Sequence, residues 1–275
     1  MEEKQVSLGV TQSPKIPVSR TNQSADDEFM VPTDVVELPS LGKLYPNNQK
    51  TVTVKYLTAD DENILTNIEL IRSEKVLDAL LDNCVLSDGI TAKEMLTGDR
   101  NKVLIDVRVN GYGEDYEVEM IDPETGESFT EIVNLKLLKP KYLDIDPDNN
   151  GEFPVFLPNF KVNVKFRFLN GEDESYLSQK DKASKKKKKG LSVPTSLTDR
   201  YVRQIMEVNG NRDKIYIQRF VLAMPIKDSV FLREYIREIE PGIDLEYEFK
   251  NAPSGNVFKA QLPMTVKLFW PSARL

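Results

Sequence analysis

Val52-Thr-Val-Lys-Tyr-Leu-Thr-Ala-Asp-Asp-Glu-Asn-Ile-Leu65 aligns without gaps with Val164-Lys-Phe-Arg-Phe-Leu-Asn-Gly-Glu-Asp-Glu-Ser-Tyr-Leu177. Each copy begins with apolar and polar residues in alternation, which indicates a strand. A Thr or Asn then stands where a helix cap is expected, and three acidic residues follow in the first turn, where the helix dipole favours negative charge. The repeat therefore predicts two similar halves, each starting with a strand that leads into a helix.

Helices and strands are predicted on both sides of the repeat from the spacing of apolar residues. Helical spacing is found over residues 73–81, 99–109, 196–206, 215–224 and 228–239. Alternation predicts strands over residues 115–120, 245–249 and 264–269. Each half thus combines a strand and helix at its start, a helical middle and a β-hairpin at its end, which predicts an α+β fold.

Two tight turns occupy corresponding places in the halves. Asp122-Pro-Glu-Thr-Gly126 and Ala252-Pro-Ser-Gly255 are typical of turns that join hairpin strands. A pair of cysteines in such a turn makes half of a tetrahedral zinc site. Here both turns lack cysteine, so we interpret them as zinc-ribbon-like turns that bind no metal.

Composition shifts along the chain divide it into three segments. Residues 1–30 carry few large apolar side chains, which predicts a disordered N-terminal arm. Residues 31–143 make the first α+β half and residues 144–275 the second. Within the second half, residues 180–190 are rich in lysine, and the repulsion between like charges predicts an extended loop there.

The inventory of side chains excludes much catalytic chemistry. The chain has no histidine, so a Ser-His-Asp triad and a histidine general base are absent. Glycine-rich phosphate loops and dinucleotide motifs are also missing, so we predict no catalytic residue and no cofactor. A hydrolase with paired carboxylates is left as a residual alternative, without named residues.

Two kinds of acidic segment are candidates for metal sites. Asp60–Glu62 and Glu172–Glu174 are consecutive on helices, so their side chains point in different directions, and helix-start chemistry explains them better. Residues 144–151 resemble the start of a calcium loop, but Asn149 stands where that loop requires glycine. We interpret this segment as a linker and predict no metal site.

Charge and cysteine content bear on partners and location. The formal net charge is −7, which argues against nucleic acid or an anionic membrane as the main partner. A local exception is the run Lys185, Lys186, Lys187, Lys188 and Lys189, either a solvated insertion or a polyanion-binding segment. The single Cys84 fits a reducing compartment, and the sequence contains neither a secretory signal nor a run long enough to span a membrane.

Several short motifs together resemble a known family. They lie, in order, at residues 36–46, 54–65, 96–100, 110–116 and 269–271. The chain resembles the baseplate hub subunits, or hub assembly proteins, of contractile-tailed bacteriophages of the T-even type, over residues 34–271. In that family the two turns often hold Cys-Pro-x-Cys-Gly, so Asp122–Gly126 and Ala252–Gly255 would be versions without cysteine.

The resemblance implies a non-enzymatic late structural or assembly protein of the phage tail baseplate hub. Its implied partners are other baseplate and hub proteins, and its locations are the host cytoplasm during assembly and the tail baseplate of the virion. Oligomerisation within an assembly is left open. A polyanion- or nucleic-acid-binding adaptor that uses the lysine run is the alternative.

Aromatic and apolar residues near the chain ends are the candidate contacts. We hypothesise that Leu38 and Tyr45 anchor the start of the chain on the protein body or on a partner. Phe269 and Trp270 are expected to do the same at the other end.

Overall fold

A computed structural model describes residues 30–187 and 196–270. The predicted N-terminal arm lies outside these ranges, apart from Met30. Lys188 and Lys189 of the lysine run lie outside them as well.

Helices and short strands occur in groups along the described residues. The α-helices are α1 Ala59–Leu65, α2 Ile68–Ser73, α3 Val76–Cys84, α4 Thr97–Tyr112, α5 Gly171–Lys187, α6 Ser196–Gln204, α7 Lys214–Ala223 and α8 Ile226–Ile239. The strands are β1 Thr33–Glu37, β2 Thr51–Lys55, β3 Asp115–Ile121, β4 Ser128–Asn134, β5 Pro140–Lys141, β6 Phe153–Leu157, β7 Val162–Phe166, β8 Ile205–Val208, β9 Gly242–Ile243, β10 Glu246–Phe249 and β11 Phe258–Gln261. Short 3-10 helices lie at Pro46–Asn48, Leu135–Leu137 and Val266–Phe269.

The strands form small antiparallel sheets. Two-stranded sheets pair β1 with β2, β3 with β4, β5 with β9 and β10 with β11, while β6, β7 and β8 form a three-stranded sheet in that order. Small antiparallel sheets mixed with helices confirm the predicted α+β class.

The sequence repeat corresponds to a repeated local structure. In the first copy, β2 leads into α1, and the Asp61 carboxylate accepts hydrogen bonds from the Thr58 amide at 2.7 Å and from the Lys55 ammonium at 2.9 Å. In the second copy, β7 leads into α5, and Asp173 accepts from the Asn170 amide and is paired with Arg167. The third residue of each helix therefore caps the helix and binds a cation at the end of the preceding strand, which confirms the predicted helix starts.

Two predicted elements have a different secondary structure. Ile205 and Met206, predicted to end a helix, begin β8, which pairs with β7 and buries Ile205 and Val208. Residues 264–269, predicted to be a strand, end in the 3-10 helix Val266–Phe269. Leu268 and Phe269 are both buried there, and a strand would have turned successive side chains to opposite faces.

The predicted loop over residues 180–190 is helical as far as Lys187, where α5 ends. Two lysines in this stretch are paired across the structure, Lys180 with Asp199 at 2.6 Å and Lys182 with Glu74 at 2.9 Å. These ion pairs reduce the repulsion on which the loop prediction rested, and lysine is itself a good helix former.

The described residues from Pro32 onward belong to one compact unit, and the division into halves at residues 143/144 stays a prediction. The contact between Gly98, at the start of α4, and Pro241 is one place where the halves join. A Cβ atom on Gly98 would lie only 1.8 Å from the Pro241 carbonyl oxygen. Only glycine permits this approach, which also lets β5 of the first half pair with β9 of the second.

Candidate interaction site

The loop before β2 is fixed to the start of helix α4 by buried hydrogen bonds. The Tyr45 hydroxyl donates to Asp99 Oδ2 at 2.7 Å and accepts from the Leu96 amide at 2.8 Å. Asp99 Oδ1 accepts from the Ser40 amide at 2.9 Å. Burial raises the pKa of Asp99, and the hydrogen bonds from Ser40 and Tyr45 oppose that rise. Two segments that carry the family resemblance, residues 36–46 and 96–100, therefore meet at this point.

The other end of α4 holds the C-terminal 3-10 helix. Arg108 is buried, and its guanidinium donates to three carbonyl oxygens: Leu268 at 2.6 Å, Gly113 at 2.6 Å and Asp115 at 2.9 Å. One side chain thus ties residues 266–269 to the turn that opens β3. Motifs that are distant in the sequence therefore meet on helix α4. An arginine is suited to binding several carbonyl oxygens at once because its guanidinium carries several donors in a fixed plane.

Three of the four predicted partner-binding residues lie inside the protein. Leu38 and Phe269 are fully buried and Tyr45 nearly so, and the contacts that they make here are with the protein body, one of the two anchoring surfaces hypothesised above. Their apolar surfaces pack in the core, so they anchor the chain ends on the protein body. Trp270 is different: it is 49% exposed and follows directly on the segment that Arg108 fixes.

The two tight turns lie against each other. Asp122 Oδ2 accepts a hydrogen bond from the Ser254 amide at 2.7 Å, and Asn256 Nδ2 donates to the Glu124 carboxylate at 2.8 Å. Burial by itself raises the pKa of Asp122, but hydrogen bonds from Glu124 and Ser254 outweigh it and lower the pKa to about 2. The carboxylate is therefore ionised at neutral pH and holds the turns together by charge-assisted hydrogen bonds.

The hairpins that carry these turns also share a core. The buried Glu131 on β4 accepts hydrogen bonds from the amides of Lys250 at 3.0 Å and Asn251 at 3.2 Å. Phe129 makes edge contacts with the rings of Phe249 and Phe258. One hairpin from each half is thus packed into a single module. In the described parts of the chain, no group of three or more acidic or cysteine side chains is placed to hold a metal ion.

A cleft of about 570 Å³ between the halves was not predicted from the sequence. Glu240 lines it, and burial raises the pKa of its carboxyl to about 7, while Arg200 and Lys141 oppose the rise. Glu174 lines the same cleft, but its carboxylate is bound by Arg200 at 2.6 Å. In the sequence, Glu240 is marked only by its position before Pro241-Gly242 at a helix end. That position does not indicate whether the Glu240 side chain is buried.

The lysine run lies only partly within the described residues. Lys185, Lys186 and Lys187 form the last turn of α5, and Lys188 and Lys189 lie beyond it. The assignment of these five residues to polyanion binding therefore stays a prediction. Across residues 30–187 and 196–270, no helix is long and apolar enough to cross a membrane.

One comparison with known proteins gives a match. The family model described as T4 bacteriophage base plate protein matches residues 31–269. No curated protein and no solved structure matched the chain. The matched range includes all the contacts made by α4 and both hairpins.

Proposed function

Because the chain belongs to the family of T4 bacteriophage base plate proteins, we propose that it acts without catalysis as a structural or assembly component at the hub of the tail baseplate. It works through contacts with other baseplate and hub proteins. It is made in the host cytoplasm late in infection and joins the baseplate during assembly.

The half-exposed Trp270 carries this proposal. Large aromatic side chains on a fixed backbone are frequent anchors of protein interfaces, because they bury much apolar area at little cost in conformational entropy. Trp270 fits that description, since Arg108 holds the residues just before it through the Leu268 carbonyl.

Capture of partners from infected cells tests the proposal. The tagged protein is expressed during phage infection and pulled down, and the retained proteins are identified by mass spectrometry. Purified virions are analysed in parallel. Recovery of hub and tail proteins supports the proposal, and presence in or absence from virions separates a subunit from a transient assembly factor.

The alternative function, a polyanion-binding adaptor that uses Lys185–Lys189, is tested in the same experiment. Capture of nucleic acid without tail proteins, and loss of that nucleic acid as salt rises, favours the adaptor. Retention of tail proteins by a variant in which all five lysines are replaced by serine contradicts it.

A further inference from the structure

The outward face of the β3–β4 hairpin carries acidic and apolar side chains. Glu117 and Glu119 on β3 pair in register with Ile132 and Thr130 on β4, and Ile121 lies on the same face. Ile121 and Ile132 are each 64% exposed, although isoleucine is usually buried. In the described residues, Glu117 has no ion pair and Glu119 has only a long one of 3.6 Å, to Lys267. We call this surface the hairpin face.

The outward side of α7 and the start of α8 have the opposite charge. Ile215, Leu222 and Ile226 are 62%, 69% and 82% exposed. Ile215 and Leu222 are seven residues apart and therefore lie on one side of α7. We call this surface the α7 face, and its cations are Lys214, Arg219 and Lys227.

These three cations lack an ion pair with any residue that the structure describes. Some other cations are paired, as Lys180 is with Asp199 and Arg200 with Glu174. Asp213, next to Lys214, caps the helix by accepting a hydrogen bond from the Tyr216 amide at 2.8 Å. Asp228, next to Lys227, accepts hydrogen bonds from the amides of Asn159 and Phe160. Within a chain of net charge −7, the α7 face is thus a local surplus of positive charge beside exposed apolar groups.

We propose that the α7 face of one copy of this chain binds the hairpin face of a second copy. The two faces have opposite charge, and each exposes isoleucine beside its charges. A ten-residue helix of about 15 Å fits within the length of a seven-residue strand of about 23 Å. Because the two surfaces differ, the contact is head-to-tail, and repetition of such a contact closes a ring or extends a chain of subunits.

The contact joins one hairpin face to one helix face, and interfaces at the small end of the size range are typical of weak association. Exposed charge pairs are screened by salt, so association weakens as ionic strength rises. This inference does not depend on the proposed baseplate role.

Charge reversal of the two faces tests the proposal on the full-length protein. Sedimentation velocity of the wild-type chain at rising concentration and low salt is expected to show growing mass, and less growth at high salt. The double variant Glu117→Lys/Glu119→Lys is expected to abolish the association, and so is the double variant Lys214→Glu/Arg219→Glu. All these side chains are exposed, and thermal unfolding monitored by circular dichroism verifies that each variant is folded.

Two rescue measurements separate a head-to-tail contact from other kinds of contact. An equimolar mixture of the two variants is expected to associate, because each then meets a face of opposite charge. A single chain that carries all four reversals is expected to self-associate like the wild type. Any one of four outcomes would overturn the proposal. The wild type is monomeric, neither pair of reversals changes association, both rescues fail, or the protein associates only after residues 1–29 are removed.

Discussion

The Asp122 carboxylate accepts a hydrogen bond from the Ser254 backbone amide at 2.7 Å, and so joins two turns that lie 132 residues apart in the sequence. This contact connects the β3–β4 hairpin with the β10–β11 hairpin, beside the contacts made by Glu124 and Glu131. Neither turn contains cysteine, and a hydrogen-bonded carboxylate joins them in this chain.

Loss of the Asp122 carboxylate should therefore loosen the two hairpins. The pKa of Asp122 is lowered from an ordinary value of 3.8 to about 2, so folding is stabilised above pH 3.8 and that stabilisation is lost as the pH falls through 2. Asp122→Asn should lower the midpoint of thermal unfolding at pH 7. At pH 2 the midpoint of the variant should approach that of the wild type. Glu124→Gln, in the same turn but exposed, is the control and should change little. A deficit in Asp122→Asn that is equally large at pH 7 and pH 2 would contradict this account.

The repeated helix starts give a second prediction. Asp61→Ala removes the acceptor for the Thr58 amide and for Lys55, and should lower the free energy of unfolding by about 2 kcal/mol. Asp60→Ala changes an exposed acid in the same helical turn and should cost about 0.5 kcal/mol or less. Urea denaturation followed by circular dichroism measures both. Equal losses in the two variants would show that Asp61 acts only through the helix dipole.

Features that depend on residues close in sequence could be predicted from the sequence, whereas features that depend on long-range packing could not. The helix starts were predictable because Asp61 and Asp173 lie only three residues from the predicted caps, Thr58 and Asn170. The strand β8 was missed because Ile205 is extended only through its pairing with β7, which no local pattern records. The contact between Asp122 and Ser254 was invisible for the same reason: both turns were recognised, but their proximity depends on the packing of the two halves.

The burial of the predicted contact residues also depends on long-range packing that the sequence does not record. Tyr45 and Phe269 stand near the ends of the chain, where an aromatic residue is equally suited to the core or to a partner. Their position inside the protein is decided by Asp99 and Arg108, two charged residues of α4 that the sequence analysis did not single out. The role of these two charged residues is visible only in the folded structure, where helix α4 places them against the segments near the chain ends.

The buried hydroxyl of Tyr45 supplies a third prediction. Tyr45→Phe leaves the Leu96 amide without its acceptor and Asp99 Oδ2 without its donor, so the free energy of unfolding should fall by about 1–3 kcal/mol. Tyr142→Phe is the matched control, because its hydroxyl donates to Glu37 at 2.9 Å but is exposed. We expect that control to change stability by about 0.5 kcal/mol or less. A Tyr45→Phe variant as stable as the control in a urea titration would mean that water replaces the lost hydroxyl.

Phe269 and Trp270 are neighbours in sequence but should respond differently to the same substitution. Phe269 is fully buried, so Phe269→Ala should cost about 3–5 kcal/mol of stability and impair assembly only through misfolding. Trp270 is 49% exposed, so Trp270→Ala should leave the unfolding midpoint almost unchanged. If Trp270 anchors a partner, the same variant should retain fewer baseplate proteins in a pull-down from infected cells, whereas Trp270→Phe should keep most of them because a ring is still present. Full retention by a stably folded Trp270→Ala protein would remove Trp270 from the interface and leave the exposed apolar surfaces elsewhere on the body to make the contact.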